Sequence, residues 1–488
     1  MINKLKYCFD DMVVFKDQRK TNSLSSLNLK SFMRDWLVKR FSDEDGNYDE
    51  DALLAFVSEH IPSKDDWGQI KDNIVKNGIR AKILAKILCD TDVKTAETTF
   101  SLEDYGLKKQ ETEIDSYIWE MCKINGLVPG REVYGMLELG YRQPVYGSGA
   151  KPTIPGKINL LNFQNFCPYT INTDFYKDVR NEFTIDEWLD VLLGAVDYRA
   201  EGFQNTEEKL SILTRLLPFV EKNLNLIELA PAGTGKSYIY GNVSRFGWIV
   251  GGSNITRAKM FYDISRKADG LVTYNDFVTL DEVSKMDLSQ VDEVVLALRS
   301  YLEYGYLNVG THRVDGDAGL VLCGNIDKEI MDTDGTVNMF DKLPRAFNDA
   351  VLLDRFHGFI KGWNIPRISN DHLVSGWALN SEYFCLMMHE LREDTSYNII
   401  VDALINEPKD ADTRDTKAIK RIATAYLKLF FPNVRKPDDI TCDDFYNYCL
   451  KRACEMRATI KMQQGILDIQ YRGQEIPDLT INEELCKM

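Results

Sequence analysis

The sequence predicts an α/β fold with a parallel central sheet, preceded by a mixed α+β region and followed by an all-helical one. Three observations predict it. From about residue 200, the short apolar runs "LIELA", "DFVTLDE" and "AGLVLCGN" recur between helical stretches, as expected for central strands covered on both faces. The first run opens into a glycine loop and then a helix, "LIELAPAGTGKSYIYG" at 226–241. After residue 366 the pattern becomes mostly helical. The 488 residues are too many for one ordinary domain, and the expected divisions are 1–195, 196–365 and 366–488.

The amino-terminal region alternates helical and extended patterns. "LKSFMRDWLVKRF" places Phe32, Trp36, Leu37 and Phe41 on one helical face. "DDWGQIKDNIVKNGIRAKILAKILCD" reads as two helical pieces broken at Gly78. "EVYGMLELGYRQPVYGSGAKPTIPGKINLL" reads as short strands and turns. In "TIDEW", Thr184 can cap a helix and Glu187 can reach back to it. That helix is expected to lead out of the amino-terminal domain. "TEEKLSILTRLLPFVEKN" is helical, and "TKAIKRIATAYLKLFF" repeats apolar residues from Ile419 to Phe430 before stopping at Pro432.

Composition narrows the class. Forty-four per cent apolar residues support packed cores. A formal charge of −16 argues against coating nucleic acid by overall charge, but leaves room for a local basic pore. Ten cysteines without a C-x-x-C pair, and five histidines without metal-ligand spacing, read as reduced buried thiols and no metal site. No run approaches a membrane span, and the amino terminus lacks a long apolar leader segment. The expected location is the cytoplasm.

The loop at 230–237 carries the chemistry. A phosphate-binding loop needs glycines so that backbone N–H groups can curl around phosphates, a lysine for the β/γ charge and a hydroxyl for Mg²⁺. Gly233, Thr234, Gly235, Lys236, Ser237 and Tyr238 are the expected ATP contacts, at the start of a helix whose dipole adds positive potential. One departure is Ala230, where the pattern asks for glycine. Alanine there costs little unless the backbone needs a positive φ. One strand unit further on, Asp281 would hold Mg²⁺ and Glu282 could polarise the attacking water. Asn325, closing "LVLCGN", can reach the γ-phosphate and water. No N-K-x-D guanine-reading motif follows the loop, so ATP is the expected nucleotide.

These intervals resemble the AAA+ ATPases, and "ADGLVTYNDFVTLDEVSKM" resembles the acidic-strand region of the minichromosome-maintenance (MCM) helicases. A more specific resemblance is to the Lon-like proteins of BREX phage-defence systems, the BrxL family. It rests on "VVFKD", "FTIDEWLDVLLGAV", "TRLLPFVEKNLNLIELAPAGTGKSYIY", "GGSNITRAKMFY", "LLDRFHGFIKGWNIP" and "TRDTKAIKRIATAYLKLFFP". The resemblance implies an AAA+ core and hexameric rings, sometimes stacked in pairs as dodecamers. It also implies DNA binding and action with other defence-system proteins. Longer members carry a Lon-type peptidase domain. Here the helix ending near residue 466 leaves about 22 residues, so no protease activity is expected.

The resemblance also implies roles. Arg355 in "AVLLDRFHGF" matches the arginine that a neighbouring subunit supplies to the phosphoryl group. Arg414 matches a nucleotide-sensing arginine, with Arg421 as the alternative. "GYLNVGTHRVDGDAGLVLCGN" resembles a pore hairpin with His312 and Arg313 near its tip, where six copies would track DNA phosphates without reading bases. Arg257 is a second candidate DNA contact, and Lys16, Arg34 and Arg40 are further ones. A protein-remodelling unfoldase is the alternative function. Such machines usually grip polypeptide with aromatic pore loops, so the His-Arg hairpin favours DNA.

Overall fold

The structure, a computed structural model, describes the chain apart from residues 1, 19–28, 44, 128, 131, 149–150, 167–168, 170, 252–254, 266, 286–287, 342, 345–346 and 488, and apart from the side chains at 64, 285 and 288–292. Residues 33–170 form one compact unit, and residues 1–32 with 171–488 form the other. This division differs from the expected boundary after residue 195. Strand β1 (Val13–Asp17) pairs antiparallel with Ser375–Leu379, which ties the first residues to the larger unit. The helix Ile185–Ala195 also packs there. Thr184 and Glu187 form the expected capping box, and the buried Trp188 indole donates to the Leu429 carbonyl at 3.1 Å.

The smaller unit is a closed barrel. Its strands are β2 (Ala81–Thr91), β3 (Thr98–Ser101), β4 (Thr112–Ile114), β5 (Glu132–Arg142) and, beyond the hairpin β6 (Val145–Tyr146) and β7 (Pro152–Ile154), β8 (Lys157–Asn165). They run in the order β2-β3-β4-β8-β5, with β4 and β8 parallel and a helix, Ser116–Ile124, joining β4 to β5. The run after Gly78 is strand β2, not the expected second helical piece. Gly78 ends the preceding helix in the left-handed region at φ 66°. Beyond it, Ile83, Ala85, Ile87 and Cys89 are buried in the barrel core, and β5 supplies the non-local partners that override a locally ambiguous apolar run.

The larger unit continues with β9 (Leu226–Ala230), β10 (Gly247–Gly251), the short pair β11 (Tyr262–Asp263) and β12 (Ala268–Asp269), and β13 (Phe277–Asp281). After these come the hairpin β14 (Tyr306–Val309) and β15 (His312–Asp315), then β16 (Gly319–Asn325), β17 (Gly358–Lys361) and β18 (Ser375–Leu379). Five strands form an all-parallel sheet in the order β10-β13-β16-β9-β17. The three apolar runs singled out in the sequence are its three central strands. Ile227, Leu229, Val278, Leu280, Leu320 and Leu322 bury one face against Val294, Leu298 and Tyr301 of the helix Leu288–Tyr304.

Residues beyond 366 are not all helical. They include β18 and the short pair β19 (Ile405–Asn406) and β20 (Thr480–Ile481). A disulfide joins Cys442 to Cys486, which corrects the reading of uniformly free thiols. The two residues lie far apart in sequence, so no spacing motif announces the pair. Among the described residues, no helix is long and apolar enough to cross a membrane.

Candidate nucleotide-binding and hydrolysis site

Because every strand of the sheet runs the same way, all carboxyl ends meet at one edge. There β9 enters the loop 231–235, β13 ends at Asp281 and β16 at Asn325. Gly233 and Gly235 take φ values of 84° and 80°, which glycine adopts without steric cost. Ala230 is fully buried and does not have a positive φ, so the departure from the glycine pattern carries no backbone strain. Its methyl is accommodated by Gly362 after β17, where an added Cβ would lie 2.1 Å from the Ala230 Cβ.

Four of the expected residues converge. The Lys236 ammonium donates to the Asn325 Oδ1 at 3.3 Å and to the carbonyls of Ala230 and Pro231 at 3.2 and 3.4 Å. All three acceptors are neutral, so none cancels the charge an anion would meet. Burial pulls the lysine below its ordinary range, with Glu228 and other nearby groups opposing. The Ser237 hydroxyl donates to Asp281 Oδ2 at 2.6 Å. That pair offers two hard oxygens of the kind Mg²⁺ takes, leaving most of its octahedron to phosphate and water. Among the described residues, no group of three His, Cys, Asp or Glu side chains gathers to hold a metal by protein ligands alone.

Glu282 follows Asp281 with φ at 52°, in the left-handed region that non-glycine residues rarely adopt. Its N–H donates to Asp281 Oδ1 at 2.9 Å. Strain of about 1–3 kcal/mol at such a residue persists only where the surroundings enforce it. Here the Asp281 carboxylate, holding the Glu282 N–H, is part of what enforces it.

Thr234 and Tyr238 are differently engaged. Thr234 is buried, and its carbonyl accepts from Arg215 Nη1 at 2.6 Å while its hydroxyl accepts from Nη2 at 3.1 Å. Arg215 and Glu228 form a fully buried ion pair beneath the loop. Burial opposes the guanidinium charge and Glu228 overcomes it, so Arg215 stays firmly protonated. Neither residue carries a sequence signal, although the buried glutamate inside "LIELA" is an anomaly that asks for a partner. The Tyr238 hydroxyl donates to Asp197 Oδ2 at 2.5 Å and accepts from Gln18. Asp197 also meets Lys16 at 3.0 Å, and Lys16 donates to Ser381 at 2.7 Å. Lys16 is thus buried in a network beside the loop, and is not available as a DNA contact.

Two other expected residues lie at the opposite edge of the sheet. Arg355 precedes β17 and so sits where the strands begin. A five-residue strand separates that edge from the loop, roughly 15 Å. Arg355 pairs with Glu303 at 3.3 Å. Arg414 pairs with the same Glu303 at 2.9 Å and with Asp354. Burial alone would raise the Asp354 carboxyl, but Arg414 and Arg457 hold it below the usual carboxylate range. With Lys417 and Arg421 these residues line a cleft of about 480 Å³. Neither Arg355 nor Arg414 reaches the loop 231–235 of this chain.

The hairpin β14–β15 has Gly310 and Thr311 at its turn. His312 stacks on Tyr262 at 3.9 Å and meets Asp269 at 3.1 Å, so its ring is turned away from the tip. Arg313 is exposed, but is neutralised by Asp315 at 2.8 Å and lies over the Tyr306 ring. Arg257 is exposed at the start of the short helix Arg257–Met260. In the smaller unit Arg34 is buried, and Arg40 is exposed beside Trp36 and Phe56.

Residues 158–476 match the family model described as Lon-like protease BrxL-like, ATPase domain. The chain belongs to the BrxL family. Residues 7–141 match a second model, the BREX system Lon protease-like protein BrxL N-terminal region. Among curated BrxL relatives, the chain is 27% identical over 459 residues to the Lon-like protease BrxL of Escherichia coli O9:H4 (strain HS), covering 93% of this chain and 63% of that protein. It is 30% identical over 494 residues to the Lon-like protease BrxL of Bacillus cereus (strain H3081.97), covering 99% and 70%. The chain therefore spans about two thirds of the length of these BrxL relatives.

Proposed function

We propose that this chain is an Mg²⁺-dependent ATPase that assembles into a ring, hexameric or stacked as a dodecamer, and works on DNA in BREX-type phage defence. The observation that carries the ATPase reading is the convergence of Lys236, Ser237, Asp281 and Asn325 at one sheet edge. In this reading the loop amides and Lys236 hold the phosphates, and Ser237 and Asp281 hold Mg²⁺. Asn325 positions the γ-phosphate and Glu282 polarises the attacking water.

The arginines at the far edge support assembly. A cleft bearing Arg355, Arg414, Lys417 and Arg421 faces away from its own loop, so its natural client is the nucleotide of a neighbouring copy. Arg414 is then a sensor of the neighbour's nucleotide. The closed five-stranded barrel supports a DNA client, since barrels of this type are a common platform for oligonucleotides.

A protein client is the second reading, favoured by one observation. The hairpin tip is uncharged and Arg313 is neutralised by Asp315, which weakens the case for a basic grip there. Steady-state ATPase activity with and without duplex DNA, using Glu282→Gln as the blank, separates the readings. Stimulation by DNA that falls with added salt supports the DNA motor. Robust turnover indifferent to DNA moves the assignment to a protein client. Turnover in Glu282→Gln equal to wild type would remove Glu282 from the chemistry.

A further inference from the structure

The segment that follows β17 returns across the phosphate loop. Gly362 makes room for Ala230, and six residues later the Ile368 N–H donates to the Gly233 carbonyl at 2.9 Å. That bond fixes Arg367 directly over the loop. A Cβ placed on Gly233 would lie 3.0 Å from Arg367 Nε and 3.3 Å from its Cγ, so the arginine stem covers the glycine.

Arg367 is exposed and makes no hydrogen bond or ion pair with any described residue. Three other arginines near or across the sheet are committed: Arg215 to Glu228 and Thr234, Arg355 to Glu303, Arg414 to Glu303 and Asp354. At the loop itself, Lys236 and Arg367 are cations with no acidic hydrogen-bond partner among the described residues, in a chain of net charge −16. A guanidinium is planar, always charged and suited to gripping phosphate oxygens in pairs.

We propose that Arg367 is a phosphate ligand of the nucleoside triphosphate bound by its own chain. This rests on the nucleotide-site reading above, and it assigns the cis arginine that neither Arg355 nor Arg414 can supply. From its place over Gly233 the guanidinium would add a second cation to the phosphates that the loop and Lys236 hold, so it should distinguish triphosphate from shorter tails.

The test measures affinities for fluorescent ATP, ADP and AMP analogues in wild type, Arg367→Ala, Arg367→Lys and Lys236→Ala. Unfolding midpoints without nucleotide identify any variant that has merely lost its fold. The expected result is a loss of about tenfold or more for ATP in Arg367→Ala, equivalent to about 1.4 kcal/mol, with a smaller loss for ADP, little for AMP and partial recovery in Arg367→Lys. Equal losses for all three nucleotides, or none, would overturn the proposal. Loss of ATP binding in Lys236→Ala leaves the nucleotide site standing in either case, whereas retained binding there would remove the site itself. Hydrolysis restored to Arg367→Ala by mixing with Lys236→Ala chains would mean that the arginine serves a neighbour, and would also overturn the proposal.

Discussion

Ser237 and Asp281 meet through a 2.6 Å hydrogen bond although they stand on strand units separated by β16. Two hard oxygens held this close are where the proposed Mg²⁺ would enter. Asp281→Asn and Ser237→Ala are expected to raise the Mg²⁺ concentration for half-maximal turnover at least tenfold, while leaving Mg²⁺-free nucleotide binding within about twofold. Titrating Mg²⁺ in the ATPase assay checks this, and an unchanged requirement in both variants would remove the pair from the metal site.

Arg215 and Glu228 are both fully buried, and Arg215 donates to both the Thr234 carbonyl and its hydroxyl, which itself donates to the Pro231 carbonyl. Removing one member strands the other's charge in the core. Arg215→Met is expected to destabilise the larger unit by about 3–5 kcal/mol, read by urea unfolding. The double change Arg215→Met with Glu228→Gln should recover part of that loss, because no bare charge remains. ATP affinity should still fall in the double variant, since Thr234 loses its anchor.

Arg355 and Arg414 share Glu303 at the edge far from their own loop. Arg355→Ala is expected to bind ATP normally yet lose hydrolysis by about 10³-fold or more. Mixing it with Lys236→Ala chains should restore part of the turnover, because each pair of neighbours then holds one complete site. No recovery on mixing, with both variants assembled, would argue that Arg355 is not donated between subunits.

His357 is half-buried where the cleft meets the core, with Nδ1 accepting from the Asn225 N–H at 2.9 Å. Burial first, then Arg421 and Arg457, hold the ring well below the usual histidine range. Below about pH 6.5 the unfolded chain takes up a proton that the folded chain refuses. Stability should therefore fall with decreasing pH from that point, by about 1.4 kcal/mol per unit from this group. His357→Asn keeps an acceptor without titrating, and is expected to flatten the slope between pH 6.5 and 5. Identical slopes in both proteins would rule His357 out as the source.

The parallel sheet was legible because its three central strands are short, mostly apolar runs, and two of them end in residues with evident chemistry. The edge strand β10 is mostly half-buried between two glycines, and β17 has only Phe359 and Ile360 as apolar side chains, so neither offers such a run. Strand β2 misled because a run such as "AKILAKIL" satisfies helical spacing, and only its partners in the barrel decide between the two periods. Ala230 looked like a defect from the motif alone. The compensating Gly362 sits on a different strand unit, where no local pattern connects the two. Arg367 was invisible for the same reason: what makes it matter is a backbone hydrogen bond to a loop far away in sequence. The residues that were placed by likeness, Arg355 and Arg414, came with a chemical role but no edge of the sheet.

The pairing of β1 with β18 and the Lys16–Asp197–Tyr238 network bear on how this protein can be divided. A fragment cut where the matched ATPase region begins, at residue 158, would discard Val13–Asp17 and Lys16. Asp197 would keep its charge in a buried position without its ammonium, one hydrogen bond from the tyrosine that follows Ser237. Ser375–Leu379 would become an open strand edge, inviting other chains to pair with it. The larger unit is thus discontinuous in sequence. Val13–Asp17 belong to the network beside the loop 231–235, and folded, soluble material should be sought only from chains that retain them.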